Sequence, residues 1–147
     1  MPATPIRSRI RGPDPRFQRG DHGRAQGESV EAFLEQIVSS LGDQDSALSS
    51  IGLTELIHGV YRATTPEMRL RRQQFIDDLI RAFTVYPYTR ETAMLAGRIM
   101  GEQQAKGVTI PMTDLLIGAT ALSLDYSLLT ANLRHFRLIP GLNVLAL

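Results

Sequence analysis

Apolar residues recur along this chain in two rhythms, and the alternation between them predicts most of its elements. Val30, Phe33, Leu34, Ile37, Val38 and Leu41 repeat at the spacing of one helix face, and Gly42 closes the run, so "ESVEAFLEQIVSSLG" reads as an amphipathic helix. "SALSSIGL" is a short strand, after which Thr54 reads as the cap of a helix starting "ELIHGVYRA". Pro66 opens the helix "PEMRLRRQQFIDDLIRAF", "TVYPY" is a strand, and "TRETAMLAGRIMGEQQAKG" is a helix closed by Gly107. "TDLLIGATALSL" is helical and nearly all apolar, so it should be buried. "YSLLT" is a strand, "ANLRHFRLIPG" a loop and "NVLAL" a final strand. Helices alternating with short apolar strands give an α/β layer fold with a mainly parallel sheet flanked by helices.

Residues 1–27 break this rhythm. They are rich in Pro, Gly and Arg, have no period of 2 or 3.6, and read as a basic irregular segment ahead of one domain over 28–147. Six Arg against Asp14 and Asp21 make that segment +4; with a total of +1, the remaining residues carry −3. A mildly acidic body does not bind nucleic acid by bulk charge, although a basic tail could assist. A chain of 147 residues, 43% hydrophobic, can bury one real core. The absence of Cys removes thiol nucleophiles, thiolate zinc sites and disulfides, and suits the cytoplasm. No apolar run reaches the roughly 20 residues of a membrane helix, so neither secretion nor membrane association is expected.

Three polar residues fall where such folds place ligands, at strand ends and helix starts. Glu55 follows the strand ending near Leu53, Asp114 heads the buried helix, and Asn132 follows "SLLT". Two carboxylates and an amide oxygen converging there would suit a hard divalent ion such as Mg²⁺ or Mn²⁺. The same residues also have ordinary readings. Thr113 and Asp114 are both good N-caps, Glu55 after Thr54 suits a helix's first turn, where the dipole favours it, and Asn132 and Asp125 suit loops and turns. Glu55 and His58 form Glu-x-x-His, but the di-iron architecture that uses it needs a second copy that this chain lacks. Arg134, His135 and Arg137 surround Phe136 and would make either a phosphate-contacting rim or a solvated loop anchored by one Phe.

"LTELIHGVYRA", then "GVTIPMTDLLIGATAL", then "LLTANLRHF" resemble, in that order, the PIN-domain family and specifically VapC-type toxins of toxin–antitoxin pairs. The likeness covers about residues 30–147. It implies a PIN-like α/β domain, Mg²⁺- or Mn²⁺-dependent endoribonuclease activity on tRNA or ribosomal RNA, a homodimer, and inhibition by a VapB-type antitoxin. By the same resemblance Glu55 and Asp114 match the second and third acidic positions and ligate the metal, Asn132 falls at the fourth, and Thr130 matches the hydroxyl that braces the site.

The family opens with an apolar strand running into Asp-Thr or Asp-Ser, whose Asp is the first ligand. This chain has "RGPDPRFQRGDHG" instead, with Asp14 between Pro13 and Pro15, where a central strand is not expected. A change of reading frame upstream of about Glu28 would account for the abrupt change, and would leave the sheet without its central strand and first Asp. Two functions follow as alternatives: an active ribonuclease using Glu55, Asp114 and Asn132, or a catalytically impaired remnant that binds antitoxin or dimerises. A small-molecule-binding α/β protein without metal is a third.

Overall fold

A computed structural model describes residues 9–11, 32, 35, 39, 46–130 and 132–146 of the chain. Its elements are β1 (Arg9–Arg11), β2 (Ser46–Ser49), α1 (Ser50–Tyr61), α2 (Pro66–Ala82), β3 (Thr84–Tyr86), α3 (Arg90–Ala105), α4 (Met112–Ser123), β4 (Ser127–Thr130), α5 (Leu133–Phe136) and β5 (Val144–Ala146). The five strands form one sheet in the order β3-β2-β1-β4-β5, every neighbouring pair parallel. This is the α/β arrangement expected from the alternating pattern. Of the expected helix over residues 28–42, the described positions Ala32, Glu35 and Ser39 are helical and exposed, which places them off the predicted apolar stripe.

The principal difference from expectation is β1. Residues 9–11 were expected to be irregular, yet they pair with β2 on one side and β4 on the other, with Arg11 opposite both Leu48 and Leu129. The described sheet therefore has its central strand. Arg-Ile-Arg lacks the apolar run that usually marks a doubly paired parallel strand, so patterning could not find it. Asp14 and Asp21 lie outside the described residues.

Alternation along the strands divides the core between the two faces of the sheet. Ala47 and Leu128 join Ile99, Leu115, Ile117 and Phe136 on one face, while Leu48 and Leu129 join Leu56, Val60, Ile76 and Leu79 on the other. α3 and α4 supply the first core, and α1 and α2 supply the second. α4 is the buried helix its composition predicts: Leu115, Ile117, Ala119 and Ala121 are all at most 1% exposed. Within it Gly118 leaves room for Ile139, whose Cδ1 would overlap any added Cβ.

Two boundaries move, each for a local reason. The strand "SALSSIGL" ends at Ser49, because the buried Ser49 hydroxyl accepts from the Gly52 N–H at 2.9 Å and starts α1 there. Thr54 is thus inside the helix, its hydroxyl donating to the Ser50 carbonyl at 3.1 Å. The expected loop "ANLRHFRLIPG" contains the short helix α5, held by Phe136 at 1% exposure.

Candidate active site

Strand order reverses between β1 and β4, and at such a switch point the crevice opens at the carboxyl ends of the strands. Four of the residues singled out in the sequence reach this end from different elements. Glu55 comes from α1, after β2; Asp114 is in the first turn of α4; Thr130 ends β4; Asn132 is the cap position of α5.

The helix-capping explanation for the two acids does not hold. α1 begins at Ser50, so Glu55 lies beyond its first turn, and no acid occupies that turn. α4 has Pro111 at its cap position and no side-chain cap hydrogen bond, so neither Thr113 nor Asp114 caps it. Asp114 instead engages His135: Nδ1 lies 2.7 Å from Oδ2, with side-chain exposures of 35% for the imidazole and 11% for the carboxylate. Asn132 Nδ2 stands 3.5 Å from the same imidazole nitrogen. The Thr130 hydroxyl accepts from the Asn132 N–H at 3.0 Å, which fixes the turn from β4 into α5.

Burial pushes the Asp114 carboxyl above its ordinary pKa; the hydrogen bond and charge of His135 pull it back, and the negative charge of Glu55 pushes it up again. The net shift is upward, chiefly because burial strips the carboxylate of water that His135 does not fully replace. That is the electrostatic setting a divalent cation relieves. Among the described residues, however, no group of three or more His, Cys, Asp or Glu converges to hold a metal.

The remaining candidates are more dispersed. His58, one turn after Glu55, is exposed, and Arg134 and Arg137 are exposed on either side of His135. Asp125 adopts a positive φ of 56° between α4 and β4, in keeping with the turn reading. Sequence reasoning missed the pairing of His135 with Asp114, having assigned His135 only to a phosphate rim. No local pattern signals a contact across 21 residues; the Asn-x-x-His spacing puts only Asn132 and His135 one turn apart once this stretch is known to be helical.

A sequence model of the PIN domain matches residues 22–142. The chain belongs to the PIN-domain family. Within that family it is of the VapC type. Ribonuclease VapC1 of Rickettsia felis is 39% identical over 98 residues, which is 67% of this chain and 73% of that protein. The tRNA(fMet)-specific endonuclease VapC of Salmonella typhimurium is 31% identical over 105 residues, covering 71% of this chain and 77% of its own. The PIN fold is matched in the structure of DNA-bound VapBC from Salmonella typhimurium, with a TM-score of 0.72, 22% identity, and coverage of 96% of this chain and 98% of the other. Asp114, Glu55, Thr130 and Asn132 all fall inside the matched PIN segment, whereas Asp14 and Asp21 precede it.

Proposed function

We propose that this PIN-domain chain is a divalent-metal-dependent endoribonuclease, the toxin of a VapBC-type pair, acting on RNA of the tRNA or ribosomal class. The observation that carries this reading is the buried Asp114 carboxylate, its pKa raised by burial and by Glu55, at the switch point of the sheet. Relatives bearing ribonuclease names support it. Glu55 and Asp114 would hold Mg²⁺ or Mn²⁺, and Asn132 would add an amide oxygen. A cation bound there supplies Lewis-acid stabilisation of charge on a phosphodiester undergoing cleavage. Asp114 and Glu55 contribute negative charge to that place, while Thr130 keeps the Asn132 backbone in its turn. The exposed Arg134 and Arg137 are placed to meet the RNA backbone.

A VapB-type antitoxin is the proposed partner. A groove of about 680 Å³ where α1 turns into α2 is lined by Tyr61, Arg69 and Leu70, and the 70% exposure of Tyr61 and 60% exposure of Leu70 suit a protein contact.

The impaired-remnant reading rests on the sequence, in which "RGPDPRFQRGDHG" stands where the family has an apolar strand running into Asp-Thr or Asp-Ser. One experiment separates the two. Purified protein is incubated with mixed tRNA and ribosomal RNA, with Mg²⁺ or Mn²⁺ or with chelator, with and without the antitoxin, beside Asp114→Asn. The proposal expects metal-dependent cuts that disappear in the variant and on adding antitoxin. Well-folded protein that binds antitoxin and cuts nothing would establish the remnant instead.

A further inference from the structure

We propose that His135 is a positioning residue for Asp114, donating its Nδ1–H to Oδ2 and so fixing the orientation in which this carboxylate meets a divalent cation. The inference rests on the metal-dependent reading above, and adds to it a residue that ligates nothing itself.

The geometry begins with the distance. At 2.7 Å, the His135–Asp114 contact is in the short range of charge-assisted bonds. An ionised carboxylate has no hydrogen to offer, so the imidazole must supply it. Asn132 Nδ2, 3.5 Å from the same nitrogen, is itself a donor and offers no acceptor for the Nδ1 proton, whereas Asp114 Oδ2 at 2.7 Å does, so that proton belongs to Asp114. In the neutral ring this leaves Nε2 without a proton.

The ring is also held in place. His135 precedes the buried Phe136, which is 1% exposed, and sits in a turn closed by hydrogen bonds from Arg137 N to the Leu133 carbonyl and from Leu138 N to the His135 carbonyl, both 3.1 Å. Asp114 comes from the start of α4, 21 residues earlier, so the pair ties two separately anchored elements together. A carboxylate on a single side-chain bond that is itself 11% exposed cannot swing freely into solvent. Outer partners of this kind, which hydrogen-bond a metal's carboxylate ligands, are worth about 10–100-fold in metal affinity.

A contact with RNA and a purely structural tie are the competing roles for His135, and they make different predictions. An RNA contact raises KM and leaves the affinity for the cation alone unchanged. A structural tie lowers the melting temperature and leaves Mn²⁺ affinity of the folded protein unchanged. The side-chain amide of Asn places a nitrogen donor where Nδ1 stands, so His135→Asn should rescue a positioning role.

The test uses the whole chain and Mn²⁺ alone, with free Mn²⁺ read by electron paramagnetic resonance. His135→Leu is expected to weaken Mn²⁺ binding about 10–100-fold, with His135→Asn much closer to wild type. Folded His135→Leu that binds Mn²⁺ like wild type would overturn the proposal, as would His135→Asn losing as much affinity as His135→Leu. The imidazole ¹⁵N shifts of the wild-type protein provide a check that needs no variant: Nδ1 is expected to carry the proton, and a neutral ring protonated at Nε2 alone would overturn the proposal. Wild type that binds no Mn²⁺ would overturn the metal-dependent reading itself, and this inference with it.

Discussion

Asp114→Asn keeps the shape of the side chain and removes its charge, so it tests the electrostatics of the site and its chemistry together. Three effects act on folding. The amide escapes the desolvation cost of a buried carboxylate, and it escapes the repulsion of Glu55. Against these, the bond from His135 changes from charge-assisted, worth about 1.5–3 kcal/mol, to neutral, worth about 0.5–1.5, a loss of about 1 kcal/mol. The raised pKa of Asp114 means that the two unfavourable effects outweigh what His135 returns. The variant should therefore be as stable as wild type at pH 7, or more so.

The pH dependence has a definite sign. A carboxyl whose folded pKa lies above its unfolded value of about 3.8 binds its proton more tightly when folded. Its contribution to stability is thus present at low pH and is lost as pH rises through the folded pKa. Asp114→Asn lacks that loss, so its stability relative to wild type should increase from about pH 3.8 upward and level off above the folded pKa. Urea unfolding across this range, in chelator so that bound metal does not stabilise wild type, measures the difference. RNA cleavage should meanwhile fall by at least about 100-fold, the upper end of what losing even an outer partner of a metal site costs. A variant that cleaves like wild type would refute the site. One destabilised by more than about 1 kcal/mol at pH 7 would refute the charge argument, since the weakened hydrogen bond alone accounts for that much.

Ser49→Ala removes the buried hydroxyl that accepts from the Gly52 N–H at 2.9 Å and starts α1, and should cost about 1 kcal/mol in urea unfolding; no loss would show that α1 does not depend on this cap. Gly118→Ala drives a methyl into Ile139 Cδ1 and places it 3.3 Å from Leu142 Cδ2. Overpacking of about 1–3 kcal/mol should exceed the roughly 1 kcal/mol gain in helix propensity, so a stabilised variant would contradict this packing. Translating the DNA upstream of Glu28 in the other forward frames should reveal an apolar strand ending in Asp-Thr or Asp-Ser, and finding none would dispose of the altered-frame explanation.

Much of the fold was legible because most elements advertise themselves locally. The helices at 66–82, 90–105 and 112–123 carry their own period, starts and stops, and their observed bounds lie close to those signals. Burial of the last was legible from its composition alone. So were the positions of Glu55, Asp114 and Asn132 at strand ends and helix starts, because the order of elements places those ends at one edge of the sheet.

Pairing and proximity were a different matter. Arg9–Arg11 is a central strand only because β2 and β4 flank it, and backbone ladders can recruit a segment whose side chains give no sign of it. The start of α1 depended on a hydroxyl at Ser49 outcompeting the strand pattern that runs past it. Asp114 could have been a cap or a ligand on spacing alone; Pro111 at the start of α4 removed the cap reading, and the contact with His135, distant in sequence, forms only when α5 packs beside α4. Sequence determined which groups stand at the crevice, since that follows from local periodicity. Tertiary structure decided what each touches there and how deeply it is buried, because hydrogen bonds and desolvation depend on neighbours that only packing supplies.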